Sequence, residues 1–192
     1  MTLTDLLVPT YRNMLRTLTG LLDKAEAQLG ADKAEALLSA RIAPDMWPLA
    51  TQLRFAAVQA FDGPRRLRGE APPPGMEEML NEGRNAGEAP GTLAEARTRI
   101  DQALAWLDTL PPQALDGAPE EQPMILDLDM GLTFDLSRAQ FARDWALGQF
   151  YFHVMAAYAI LRKEGVEIGK ADYVPHMFGY LRAAEAPEAT VS

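Results

Sequence analysis

Apolar residues that recur at intervals of three and four over long stretches leave this chain one simple way to bury them: as amphipathic helices packed side by side. From Leu3 to Leu29 the positions Leu3, Leu6, Leu7, Met14, Leu18, Leu21, Leu22, Ala25 and Leu29 keep that period, and Gly30 stops it. Pro9 predicts a bend or a true start nearby, because proline lacks a donor and crowds the preceding turn. Residues 31–39 read as a short helix and residues 41–45 as a connector. A second helix is expected over residues 46–67, with the Asp45 carboxylate capping its first turn. Leu49, Leu53, Ala56, Ala57, Ala60 and Leu67 face inward on it, and Gly63-Pro64 predicts a kink. Thr92-Leu-Ala-Glu95 and Ser137-Arg-Ala-Gln140 are capping boxes that open a third helix over residues 92–110 and a fourth over residues 137–164. Pro111-Pro112 ends the third and Gly165 the fourth. Pro175 is expected to begin a terminal helix reaching Ala184.

Two segments break this texture. Residues 69–91 carry three consecutive prolines and several glycines, so they read as a loop with at most one helical turn near Met76 to Leu80. Its length suits a segment that covers a pocket or a partner surface. Leu126, Leu128 and Met130 alternate with Asp127 and Asp129 ahead of Gly131, which predicts a small β-hairpin over residues 125–136 with an acidic outer row. A calcium site at Asp127 and Asp129 is the sharper alternative, but the glycine-punctuated loop of an EF-hand is missing. The fold class is therefore all-α, a four-helix bundle with a small hairpin before the fourth helix.

At 192 residues, 48% of them apolar, the chain has the material for one domain spanning residues 1–192. Acidic residues outnumber basic ones 27 to 18, a formal charge of −9 that disfavours nucleic acid and anionic membrane surfaces as partners. The lack of cysteine excludes disulfides and thiolate chemistry. No basic leader and no run of apolar residues long enough to span a bilayer is visible, so a cytoplasmic location is expected.

One of only two histidines, His153, sits mid-way along the fourth helix on a face shared with Gln149, Phe150, Ala156, Ala157 and Ile160. A lone imidazole there reads first as a core group bonded to a buried carbonyl, hydroxyl or water. Catalysis would require it as a base, with Asp45 as the partnering carboxylate. A metal would need further donors, yet residue 157, one turn on, is Ala, and residue 149 is Gln. Tyr151, Tyr158 and Tyr173 offer hydroxyl donors, and Arg41 and Arg162 are candidate anion partners; Arg162 also suits the C-terminal end of its helix. His176 lies in the tail, where it meets His153 only if the tail folds back.

The blocks Val8-Pro-Thr-Tyr11, Leu38-Ser-Ala-Arg41-Ile-Ala-Pro44-Asp45-Met46-Trp-Pro48-Leu and, most specifically, Phe150-Tyr-Phe-His153-Val-Met-Ala-Ala-Tyr158-Ala-Ile-Leu-Arg162 with Gly165-Val-Glu-Ile-Gly169-Lys170-Ala-Asp172 resemble the domain-of-unknown-function 1993 branch of the DinB/YfiT-like bundle superfamily. The resemblance implies an up-down bundle, a frequently dimeric state and no established activity. It also implies a metal site of one second-helix and two fourth-helix histidines. Here His153 matches one, Ala157 stands at another and Gln59 lies near the third, so no metal or cofactor is expected. Two functions follow. The first is a binding or interaction protein with a small-molecule pocket bordered by His153, Asp45, Gln59 and Tyr158, with Arg162 nearby. The alternative is a hydrolase or transferase using His153 as base or as ligand of a degenerate metal site. A second apolar stripe, Trp145, Phe152, Met155 and Ala159, points to a homodimer.

Overall fold

In a computed structural model, which describes residues 1–128 and 131–182, the chain forms an up-down bundle of four long helices. The first, α1 (Leu3–Leu29), is followed by a short α2 (Ala31–Ala36) and a 3-10 turn, Leu37–Ser39; α3 (Leu49–Arg68), α4 (Met76–Asn85) and α5 (Leu93–Asp108) come next. Strands β1 (Pro123–Leu128) and β2 (Leu132–Ser137) then pair antiparallel, with Leu126 opposite Phe134. The fourth long helix is α6 (Arg138–Gln140), a π-helical stretch Phe141–Ala146, and α7 (Leu147–Lys163). A short α8 (Lys170–Tyr173) and a 3-10 turn Pro175–Tyr180 complete the described chain, so the expected terminal helix is a tighter turn and its last residues lie outside the described residues. Asp129 and Met130 of the hairpin reading also lie outside them.

Local chemistry accounts for the ends. Three of the four long helices begin with capping boxes, including Thr2 with Asp5, where the Thr2 hydroxyl accepts from the Asp5 N–H at 3.1 Å and the Asp5 carboxylate accepts from the Thr2 N–H at 3.3 Å. α1 therefore begins at Leu3 and passes through Pro9, which sits on the exposed face, where water can satisfy the carbonyl that proline leaves unbonded. The second long helix starts later than expected. Pro48 is its N-cap and no side chain caps it, so Asp45 is not the cap but an exposed residue of the preceding turn. The residue before a proline is driven out of helical φ/ψ, which keeps Trp47 out of the helix. Pro64 lies within α3, and Gly69, with φ of 68°, closes the helix in the left-handed conformation.

The segment expected as a loop contains ten residues of helix instead of one turn. Met76, Met79, Leu80 and Gly83 recur at three and four and turn towards α3, which makes α4 a docked element. The Thr51 hydroxyl donates to the Gly83 carbonyl at 2.8 Å, and the Phe55 ring occupies the space where any side chain at Gly83 would begin. Buried Arg54 adds an ion pair to Glu82 of α4, whose carboxylate also holds Arg99 of α5 and is kept below the usual range chiefly by that second guanidinium. α3 is the centre of the molecule, packed against α7, α4, α5 and α1. Its buried faces carry Ala50, Ala56, Ala57 and Ala60, which let neighbouring helices approach closely around Leu15, Leu53, Ile100, Phe141 and Phe150.

Candidate functional site

α3 and α7 meet with one polar pair in an apolar contact. His153 is 7% exposed and Gln52 1%, and His153 Nδ1 lies 2.9 Å from Gln52 Oε1. The other end of the amide is also fixed, since Gln52 Nε2 donates to the Trp47 carbonyl at 3.1 Å. Only the amide nitrogen can donate there, so the oxygen is the atom turned to the imidazole, and Nδ1 must carry the proton. The ring is thus the Nδ1–H tautomer, with its lone pair on Nε2. Phe55 and Phe152 stand edge-on to it, with centroids at 5.3 and 5.4 Å. Burial among these groups lowers the His153 pKa to about 4, which leaves the ring neutral at pH 7. The bond to Gln52 persists in both protonation states, because Nδ1 carries a proton in each, and burial dominates the shift.

The other candidate residues are dispersed. Asp45 is exposed in the connector, and the imidazole's partners are Gln52, Phe55 and Phe152 instead. Tyr158 packs edge-on against Tyr173 at 5.4 Å. Arg162 is exposed and donates to the Val166 carbonyl at 3.3 Å, satisfying the chain just past its own helix. The connector is held to α7 by Lys163 Nζ donating to the Arg41 carbonyl at 2.7 Å, while Arg41 Nη1 donates to the Met46 carbonyl at 2.6 Å. His176 is half-buried in the tail turn, with no acceptor or donor at Nδ1. The tail itself is anchored along α1 by Lys24 with Asp172 and by Gln28, which exchanges hydrogen bonds with the Glu167 backbone at 3.1 and 2.7 Å.

Gln59, expected beside His153, lies two turns further along α3 from Gln52 and lines a separate cleft of about 440 Å³. α3, α4, the hairpin and the π-helical stretch enclose this cleft. Val58, Met76, Leu80 and Trp145 give it apolar patches, and charged groups of both signs, Asp62, Arg65, Arg66, Glu77, Arg84 and Asp127, stand among them. The wide π turn places Trp145 here, half-buried and tilted against Phe134 at 6.4 Å.

The sequence profile of a domain of unknown function, DUF1993, matches residues 3–174. The chain belongs to this family. A crystal structure of a DinB family member protein from Shewanella denitrificans is similar over 96% of this chain and 96% of that chain, at 30% identity and a TM-score of 0.72. No curated protein gives a significant match. Within this DUF1993 chain the group facing His153 from the second long helix is the amide of Gln52, not Gln59, and Ala157, fully buried, packs where a second fourth-helix donor would stand. Among the described residues no three His, Asp or Glu side chains converge to hold a metal ion. The Gln52–His153–Ala157 set supplies one imidazole, and a transition-metal site needs more donors than that.

Proposed function

We propose that this DUF1993 protein is a binding module built as one domain, which takes a small amphipathic molecule in the cleft at Gln59 and works as a homodimer. The cleft carries this reading: its volume of about 440 Å³ is that of a small-molecule site, and its apolar patches beside charged and amide groups suit a ligand with both apolar and polar parts. A hydrolase or transferase reading is weaker. A base whose conjugate acid has a pKa near 4 takes protons poorly at neutral pH, and the group that orients the ring is the Gln52 amide instead of a carboxylate. The expected result of a ligand screen is a set of hits that change Trp145 fluorescence and are lost in Leu80→Arg, which fills the cleft, but kept in His153→Gln. Turnover of any hit that vanishes with His153→Gln would replace this reading with the enzymatic one.

The dimer rests on α7. Phe152 is 54% and Met155 48% exposed, and Tyr151 lies beside them, so a helix with one face in the core presents a second apolar face outward. Burying such a face against a second copy removes it from water and gives a twofold, self-complementary contact. Sedimentation is expected to give a species of twice the 21.1 kDa chain mass, which Met155→Glu converts to folded monomers. A species of single chain mass at every concentration removes the dimer from the proposal.

A further inference from the structure

A second cavity, of about 490 Å³, lies at the far end of α3, between its last turn, the residues before β1 and the start of the fourth helix. Arg66, Arg68 and Arg138 line it, with Glu70 the one carboxylate. Arg138 is the unusual group. Its side chain is 7% exposed, Nη1 donates to the Leu67 carbonyl and Nη2 to the Leu115 carbonyl at 2.5 Å, and Nε is buried with no acceptor. Among the described residues no carboxylate pairs with it, although a guanidinium taken out of water needs a counter-charge. Its position aggravates the cost, because it is the first residue of the fourth helix, where the helix dipole disfavours a cation. The carbonyls explain how the side chain is oriented and leave its charge unbalanced.

We propose that this cavity binds a small molecule through a phosphate or similar oxyanion, with Arg138 as the buried anchor and Arg66 and Arg68 at the mouth. Arg65, Arg66, Arg68 and Arg138 stand against Asp62 and Glu70 at this end of α3 and leave two positive charges, the complement of a phosphate dianion, in a chain whose overall charge is −9. Arg66 and Arg68 keep their ion pairs to Asp62 at 2.7 Å and Glu70 at 2.6 Å, which hold them in place while leaving further donors on each guanidinium. This site shares Arg66 with the Gln59 cleft, while Arg68 and Arg138 belong to it alone and His153 lies elsewhere. The test is calorimetric titration of inorganic phosphate and of glycerol phosphate into the full chain at constant ionic strength, with the Arg Nε–H resonances followed by NMR. Saturable one-site binding is expected, with the Arg138 Nε–H signal shifted and affinity reduced about ten-fold in Arg68→Gln, the loss of one charge-assisted contact. Tighter glycerol phosphate marks an organic phosphate as the ligand; equal affinities mark the free ion. Arg143→Gln, an exposed arginine elsewhere, should bind as the parent does. Arg138→Lys is expected to lose binding, and Arg68→Gln serves if that variant does not fold. Phosphate indistinguishable from chloride, or binding equally affected by Arg143→Gln, overturns the site.

Discussion

Gly63→Ala destabilises the protein by about 2 kcal/mol or more, the cost of overpacking a closed core, although the same change in an open helix gains up to about 1 kcal/mol. A Cβ at Gly63 falls on the Tyr11 hydroxyl, well inside van der Waals contact, with Tyr11 Cζ at 3.3 Å and Ala146 Cβ at 3.5 Å. The tyrosine has nowhere to go: it is fully buried and edge-on to Phe150 at 4.7 Å. Its hydroxyl has no hydrogen-bond partner, and burial with the nearby Asp62 charge raises its pKa. Removing that oxygen therefore relieves most of the clash. Tyr11→Phe alone should stabilise by about 1 kcal/mol, since an unpaired buried hydroxyl is lost, and Gly63→Ala in that background should be near neutral. Denaturant midpoints of the four proteins measure this, and additive effects would show that the two residues do not touch.

Truncating the buried pair has the second large effect. His153→Leu leaves Gln52 Oε1 without a donor, and Gln52→Leu orphans the imidazole N–H and the Trp47 carbonyl, so each is expected to cost about 1 to 3 kcal/mol. The double variant should cost less than the sum by about 1 kcal/mol or more, because neither buried group is then stranded. The wild type carries a pH signature as well. With a folded pKa of about 4 against about 6.5 in the unfolded chain, the unfolded state binds the extra proton first between those values. Stability should thus fall as pH drops from about 6.5 to about 4, by up to about 3 kcal/mol, and receive no contribution from this residue above pH 7. Subtracting the His153→Leu profile isolates that slope, and a flat difference would mean the ring is solvated in the folded protein.

Much of this architecture is legible in the sequence because it is written in local terms. The three-and-four spacing from Leu3 and the boxes at Thr92 and Ser137 act within one helix, so they specify its face and its start without reference to a partner. What the sequence hides is how far one helix slides along another. Gln52 and Gln59 are seven residues apart and share a face of α3, so periodicity alone assigns either one to His153. Only the packing of α3 on α7, fixed by shape, selects the first and leaves the second to the cleft. The same limit applies to α4, whose short apolar set is marginal alone and is stabilised by docking Met76, Met79 and Gly83 on α3. The π turn at Phe141–Ala146 has no local signal comparable to a capping box.

His153 is spent on structure, as a neutral ring whose proton Gln52 fixes on Nδ1. Nitrogen-15 NMR of the histidine side chains across pH reads this directly. One ring, absent in His153→Leu, is expected with a protonated Nδ1 and an unprotonated Nε2 at pH 7, titrating only near pH 4. A ring protonated at Nε2, or one titrating near the ordinary value of about 6.5, would contradict it and return His153 to the candidates for proton transfer.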